Sequence, residues 1–225
     1  MTGSKTVVEV GDSKVMVDCG LFQGLKSLRL KNRESLPIEA SEIEAIILTH
    51  AHLDHCGYLP VMVRNGFKGK IYCTHPTEKL TEIILIDSAK IQEEDAERAN
   101  RHDYTRHEVA KPLYTQEDAR KTLQLFSTHN YDEWVIINND LKFQLVNSGH
   151  ILGSAMVELK VGSKRLVFSG DIGRSDPMLF TLQKRSGKLT IWLWSPLMET
   201  DCIELKVQKK DFYRPSKRLI VKVEF

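Results

Sequence analysis

A dense cluster of ionisable side chains lies at residues 49–57, THAHLDHCG, directly after the apolar run 45–48. Imidazole and carboxylate groups are ligands that zinc prefers, at bond lengths of about 2.0–2.2 Å. In an extended chain His50 and His52 project to one side, whereas Asp54 and His55 come from the bend that follows. This spacing predicts two sets of ligands that face two neighbouring metal positions. The disfavoured alternative is a polar loop with scattered histidines.

Three further acidic or imidazole side chains stand where a predicted strand gives way to a loop. His150 follows the apolar run that ends at residue 146, Asp171 follows the run that ends at residue 168, and Asp18 follows residues 14–17. His150 and Asp171 are therefore candidate metal ligands. Asp18 taken alone would be interpreted as a turn residue ahead of Gly20, since aspartate is common in turns.

Taken together, these motifs resemble those of the metallo-β-lactamase superfamily, which has an Asp after an early strand, H-x-H-x-D-H, a later His and a later Asp. The resemblance implies an α/β fold, the αββα sandwich, and a site with two zinc ions. It implies that His50, His52 and His150 hold one zinc, that Asp54 and His55 hold the second, and that Asp171 bridges the pair. Asp54 is also the candidate catalytic residue that orients the attacking water or accepts its proton. Asp18 would support the histidine loop by hydrogen bonding without binding metal, as carboxylates behind metal ligands often do.

The sequence around these motifs resembles that of the β-CASP branch of RNA- and DNA-processing nucleases, and within it that of the mRNA 3′-end cleavage endonucleases. The segments that carry this resemblance are VDCGLFQG at 17–24, HLDHCGYLP at 52–60, DSAKIQEEDAE at 87–97 and SGHILGSA at 148–155. It implies a zinc-dependent ribonuclease that hydrolyses phosphodiester bonds, with RNA as the partner. The alternatives are a small-molecule hydrolase of the thioesterase or lactonase type and a non-catalytic remnant.

The resemblance covers residues 1–179, which we expect to form the metallo-β-lactamase-like core. Family members usually begin one strand earlier, so we expect an incomplete sandwich whose first sheet lacks an edge. After residue 179 the resemblance to the family's sequences ends. Codons built from the third base of one residue and the first two bases of the next can spell the family's next motif across 189–204. In that offset frame Met198 before Glu199 forces Gly, and Asp201 before Cys202 forces Leu.

We therefore predict that residues 180–225 are an out-of-frame tail, with a divergent but genuine tail as the alternative. The nucleic-acid-clamping domain and the last His of the family site would then lie outside this chain. We accordingly expect weak occupancy of the second zinc and little or no ribonuclease turnover by this fragment.

Composition adds less than the motifs do. The chain has 225 residues, of which 41% are hydrophobic, enough for one sizeable core. Its net charge of +2 gives no electrostatic footprint for nucleic acid, so RNA as a partner follows from the resemblance alone. The four cysteines show no C-x-x-C spacing, and no apolar segment has the length of a signal peptide or membrane span. We expect a cytoplasmic protein with no membrane contact, for which a second copy of the chain is a further candidate partner.

Hydrophobic periodicity places the motifs on regular elements. Helices are predicted at 77–100 and 116–125, and hairpin turns at 138–140 and 162–164. The predicted strands are 7–10, 14–17, 45–48, 70–73, 134–137, 142–146, 156–161 and 165–168.

Overall fold

The protein is described here from a computed structural model, for residues 3–102, 109–162 and 164–173 and for two later strands. The strands are β1 (Lys5–Val10), β2 (Ser13–Cys19), β3 (Ala45–Ile47), β4 (Lys70–Cys73), β5 (Phe126–Thr128), β6 (Val135–Ile136), β7 (Leu141–Asn147), β8 (Ala155–Val161), β9 (Lys164–Phe168), β10 (Leu193–Trp194) and β11 (Arg218–Val223). The helices are α1 (Lys26–Leu30), α2 (Leu53–Cys56), α3 (Leu59–Arg64), α4 (His75–Arg101) and α5 (Gln116–Leu123), with short 3₁₀ turns at Lys31–Arg33 and Ala40–Glu42.

The strands form two sheets. The first has the order β11-β1-β2-β3-β4-β5, in which only the β1–β2 pair is antiparallel. The second has the order β10-β9-β8-β7-β6, and β6 to β9 form an antiparallel meander. Parallel strands need crossovers, and between β2 and β5 these are supplied by the segments that contain α1 to α5.

Two apolar clusters join the layers. Between the sheets, alternate residues of each strand meet, among them Val15 and Ile47 from the first sheet and Phe143 and Val157 from the second. The other face of the first sheet packs against the helices through a separate cluster that includes Met16, Ile46, Leu59, Met62, Ile71 and Leu85. The first sheet is therefore buried on both faces, which explains why β3 is apolar at every position.

Helix α4 shows how local signals fix an element. Thr74 accepts a hydrogen bond from the Thr77 backbone N–H at 3.3 Å, and Pro76 stands in the first turn. These are the cap and first-turn residues that helices favour, because they satisfy or remove otherwise unpaired N–H groups. Helix α5 begins with a capping box between Thr115 and Asp118.

The predicted mixed α/β class is confirmed, and every predicted strand and helix has a counterpart in the structure. The predictions omitted β5 and the short helices α1 to α3, because three to six residues are too few to show a period. Of the predicted turn at 162–164, residue 163 lies outside the described residues and Lys164 already begins β9.

Two predictions concern elements that the sandwich is expected to lack: an edge strand of the first sheet, and the elements after residue 179. The edge of the first sheet beside β1, expected to be open, is occupied by β11 in parallel pairing. No helix follows α5 in the described part of the chain, so the second helical layer of the αββα sandwich is not represented there. Apart from β10 and β11, the predicted tail at 180–225 lies outside the described residues.

Candidate metal centre

The predicted ligands come from loops that follow strands of both sheets. His50 lies just after β3, and His52 and His55 lie at the N-cap and within α2. His150 follows β7 and Asp171 follows β9. Because these strands end at the same side of the sandwich, side chains separated by more than one hundred residues meet in one place.

The nitrogen and oxygen atoms of four of these residues converge. One ligand atom from each of His50, His52, His150 and Asp171 lies within 4.8 Å of the others. His52 Nδ1 is 3.0 Å from His50 Nε2 and 3.2 Å from His150 Nε2. Asp171 Oδ2 is 3.4 Å from His150 Nε2 and 3.7 Å from His50 Nε2.

These separations match the donor set of a metal ion. Two ligand atoms about 2.1 Å from a tetrahedral ion lie about 3.4 Å apart. A neutral imidazole carries one N–H, so His52 Nδ1 cannot be satisfied by both facing ring nitrogens through ordinary hydrogen bonds. A cation among the three nitrogens resolves this conflict, and the residues therefore fit a borderline divalent metal such as zinc.

Electrostatics also favours metal binding. Burial, together with the imidazoles of His55, His52 and His150, lowers the pKa of His50 to about 2. Burial also lowers the pKa of His150, against the opposing charge of Asp171. Metal ligation requires the neutral imidazole, so both side chains are held in the form that can bind.

His55 faces the opposite side of Asp171. Its Nε2 is 3.6 Å from Asp171 Oδ1, whereas its Nδ1 is 2.8 Å from Asp18 Oδ2. Burial opposes protonation of His55, but the charge and hydrogen bond of Asp18, with Asp171 and Asp54, raise its pKa above the usual value. Asp171 thus offers one oxygen to the three-histidine group and the other to His55, as a bridging carboxylate would.

Asp18 lies on the Nδ1 side of the His55 ring and is not one of the four residues whose ligand atoms converge. It is 3% exposed and accepts hydrogen bonds from the Thr49 N–H at 2.8 Å and from the Thr49 hydroxyl at 2.9 Å. Its φ of 59° is unusual for a residue other than glycine and aims the carboxylate at the histidine loop. The structure places Asp18 where it can hold the His55 ring in one orientation.

Thr49 was missed by sequence reasoning. Its hydroxyl lies between Asp18 and His50 and is 3.0 Å from His50 Nδ1. It therefore links the buried carboxylate to the first histidine of the motif. The available signal was its position directly before His50, but a threonine at the end of a strand is common for other reasons.

Asp54 lies in the first turn of α2, half-buried, beside the ligands. Its charge raises the pKa of both His55 and His150. Asp54 is not one of the four residues whose ligand atoms converge. Its backbone carbonyl accepts the Ser4 N–H at 2.6 Å and fixes the loop to the start of β1.

Cys56 lies next to this loop, at the end of α2. It is fully buried and its thiol donates to the Ala51 carbonyl at 3.3 Å. Burial raises its pKa, so it stays a neutral thiol that does not compete for metal.

The two-sheet fold and the cluster of histidine and aspartate side chains are the features expected of the metallo-β-lactamase superfamily, and comparison with known families gives the same result. The sequence profile of the metallo-β-lactamase superfamily matches residues 3–190. The chain belongs to this superfamily.

Curated relatives narrow the resemblance to the β-CASP RNA nucleases, as the sequence motifs predicted. Ribonuclease TTHA0252 of Thermus thermophilus is 34% identical over 78% of this chain and 36% of its own length. The transcription termination factor FttA of Cenarchaeum symbiosum is 33% identical over 92% of this chain and 30% of its own length. Cleavage and polyadenylation specificity factor 73 of Drosophila melanogaster is 30% identical over 76% of this chain and 23% of its own length. The chain thus spans about a third or less of these relatives.

None of the helices in the described part of the chain is both long and apolar enough to cross a membrane.

Proposed function

We propose that this chain carries the metal centre of a zinc-dependent ribonuclease that hydrolyses phosphodiester bonds of RNA. The observation that carries the proposal is the convergence of His50, His52, His150 and Asp171, whose ligand atoms lie within 4.8 Å of one another. The names of the relatives, which include a ribonuclease and a cleavage factor, support RNA as the substrate. None of these names supports the thioesterase or lactonase alternative.

We assign two zinc ions to the site, one at the three histidines and one at Asp54 and His55, with Asp171 between them. When bound, a pair of divalent cations would lower the pKa of a water molecule and stabilise charge on phosphate oxygens. Asp54 would orient the attacking water and accept its proton, a role supported by the effect of its charge on the pKa of His55 and of His150. Asp18 keeps His55 Nε2 directed at the site by accepting from Nδ1 at 2.8 Å.

Location and assembly also belong to the proposal. The buried free thiols of Cys56 and Cys73 support a reducing compartment such as the cytoplasm. Self-association of the chain stays a prediction, which light scattering of the purified protein would test.

The testing experiment measures metal content and RNA cleavage on the same preparation. We expect purified protein to carry zinc, and His52→Ala to lose it, while His102→Ala at the far end of α4 keeps it. Cleavage of a fluorescent single-stranded RNA would then be measured with and without chelator, for this chain and for a longer form that includes the downstream domain.

Zinc-dependent RNA cleavage by the longer form, abolished in His52→Ala, would support the proposal. Hydrolysis of thioesters or lactones without RNA cleavage would replace it with the small-molecule alternative. Absence of zinc binding and of all turnover would indicate a non-catalytic remnant.

A further inference from the structure

Buried side-chain hydroxyls hold the loop that carries His150 by hydrogen bonds to its backbone. The first belongs to Ser154, which is fully buried. Its Oγ accepts hydrogen bonds from the backbone N–H of His150 at 3.0 Å and of Ile151 at 3.1 Å. One side chain thus fixes the backbone on which the His150 imidazole stands.

Two more hydroxyls come from the start of helix α4. Thr74 Oγ1 donates to the Gly153 carbonyl at 2.7 Å, and Thr77 Oγ1 donates to the same oxygen at 2.9 Å. Both threonines are buried, with exposures of 3% and 1%. The approach is close: a Cβ on Gly153, where φ is +81°, would lie 2.6 Å from the Thr77 nitrogen.

Further contacts fasten the end of the same loop. The Tyr131 hydroxyl donates to the Ser154 carbonyl at 3.1 Å. The Ala155 N–H donates to the Thr49 carbonyl at 2.8 Å, and Thr49 directly precedes His50. The backbone on the C-terminal side of His150 is therefore fixed relative to both α4 and the first histidine loop.

Helix capping does not account for this arrangement. The Thr74 hydroxyl already caps α4 by accepting the Thr77 N–H at 3.3 Å. The Thr77 hydroxyl donates instead across to the loop, to a residue 76 positions away in the chain. A buried hydroxyl that donates to a loop carbonyl fixes the position of that loop, because leaving either group unpaired is costly.

We propose that Thr74, Thr77 and Ser154 form a hydroxyl cradle whose members are positioning residues for His150. The cradle places His150 Nε2 within 3.2 Å of His52 Nδ1, where both can share one ion. The inference deepens the proposed metal-dependent function and rests on it. Thr77 is the member whose substitution tests the cradle with the least other disturbance.

The test compares Thr77→Val, which keeps the shape and removes the hydroxyl, with Thr77→Ser, which keeps the hydroxyl. The matched control is Thr122→Val, because Thr122 is also fully buried and donates to a backbone carbonyl, that of Asp118 at 2.8 Å, in α5. Zinc affinity is measured by competition with a chelator, and the absorption spectrum of the cobalt-loaded protein reports ligand geometry.

We expect Thr77→Val to weaken zinc binding about tenfold, a loss typical of groups that orient metal ligands. The cobalt spectrum should change with it, whereas Thr77→Ser and Thr122→Val should match the unsubstituted protein in both measurements. Thr77→Val that lowers thermal stability as much as Thr122→Val while leaving affinity and spectrum unchanged would overturn the proposal.

A second measurement on metal-free protein separates this inference from the metal assignment. The amides of His150 and Ile151 should exchange with solvent several-fold faster in Thr77→Val than in Thr122→Val. If the unsubstituted protein binds no metal, the proposed function fails, yet this exchange comparison still decides whether the cradle holds the loop. Equal exchange in the two variants would show that it does not.

Discussion

Asp18 joins both ends of the histidine loop, Thr49 and His55. It is almost fully buried and accepts hydrogen bonds from the Thr49 backbone, the Thr49 hydroxyl and His55. A buried carboxylate of this kind is tolerated only because each oxygen has partners. Its hydrogen bond to His55 Nδ1 orients the ring and leaves Nε2 directed at Asp171.

We predict that Asp18→Asn lowers metal affinity by about 10–100-fold, the range found for carboxylates behind metal-bound histidines. The amide offers an N–H₂ group where His55 Nδ1 or Thr49 needs an acceptor, so the ring loses its fixed orientation. Chelator competition measures the effect, with Asp12→Asn in the exposed β1–β2 turn as control. Equal affinities in the two variants would contradict the assigned role.

His50 makes the metal-free protein sensitive to acid. Its pKa falls from 6.5 to about 2 on burial, so between these values the unfolded chain binds a proton that the folded chain does not. Folding stability therefore declines as pH falls below 6.5. His55 has a raised pKa, so its contribution is fully present below 6.5 and is lost only as pH rises through the raised value.

We predict that metal-free protein loses about 1.4 kcal/mol of unfolding free energy per pH unit more than His50→Gln does between pH 6 and 4. Glutamine does not titrate, and every other group is common to the two proteins. Urea unfolding in the presence of chelator gives the slopes. Parallel pH profiles would show that His50 titrates normally in the folded chain.

At the scale of elements, the end of β2 packs on the start of α2 with no room for a side chain. The Leu21 N–H donates to the Leu53 carbonyl and the Tyr58 N–H to the Cys19 carbonyl, each at 2.8 Å. A Cβ on Gly20 would lie 1.6 Å from the Asp54 carbonyl oxygen. This contact sets the height of the helix that carries Asp54 and His55 above the sheet.

We predict that Gly20→Ala destabilises the fold by several kcal/mol and lowers zinc content, because backbone atoms of Asp54 must move. The matched change Gly11→Ala meets no atom within 4 Å and bears only the strain of its φ of +57°. That strain costs about 1–2 kcal/mol. Denaturant unfolding and metal analysis of both variants check this, and equal losses would refute the importance of the close approach.

At the scale of the whole molecule, the described residues form a two-sheet sandwich with helices on one face. The metal centre lies where loops from both sheets meet, so it depends on the packing between the sheets. The two long segments around it, 3–102 and 109–162, carry every candidate ligand except Asp171. The apolar cluster between the sheets, which includes Ile47 and Phe143, holds together the strands that precede the His50 and His150 loops.

The reading frame of segment 180–225 can be tested by sequencing the encoding DNA. We predict that the encoding DNA, read in the offset frame after about codon 179, continues into the next family motif and a downstream domain. Two observations favour the alternative, a genuine tail. The match to the Cenarchaeum symbiosum protein covers 92% of the chain and so extends into this segment, and β11 pairs with β1. Codons that are incompatible with the offset frame would show that the segment is genuine.

The sequence by itself predicted the candidate donor residues, because H-x-H-x-D-H is a local pattern of ligand side chains and the resemblance to the family implies His150 and Asp171 as well. It also predicted the main strands and helices, since hydrophobic period is local too. Only the tertiary structure decided that the Thr49 hydroxyl lies between Asp18 and His50, that Thr77 donates to Gly153, and that β11 pairs with β1. These contacts join residues distant in the chain or depend on exact backbone direction, and packing between layers sets them rather than spacing along the sequence.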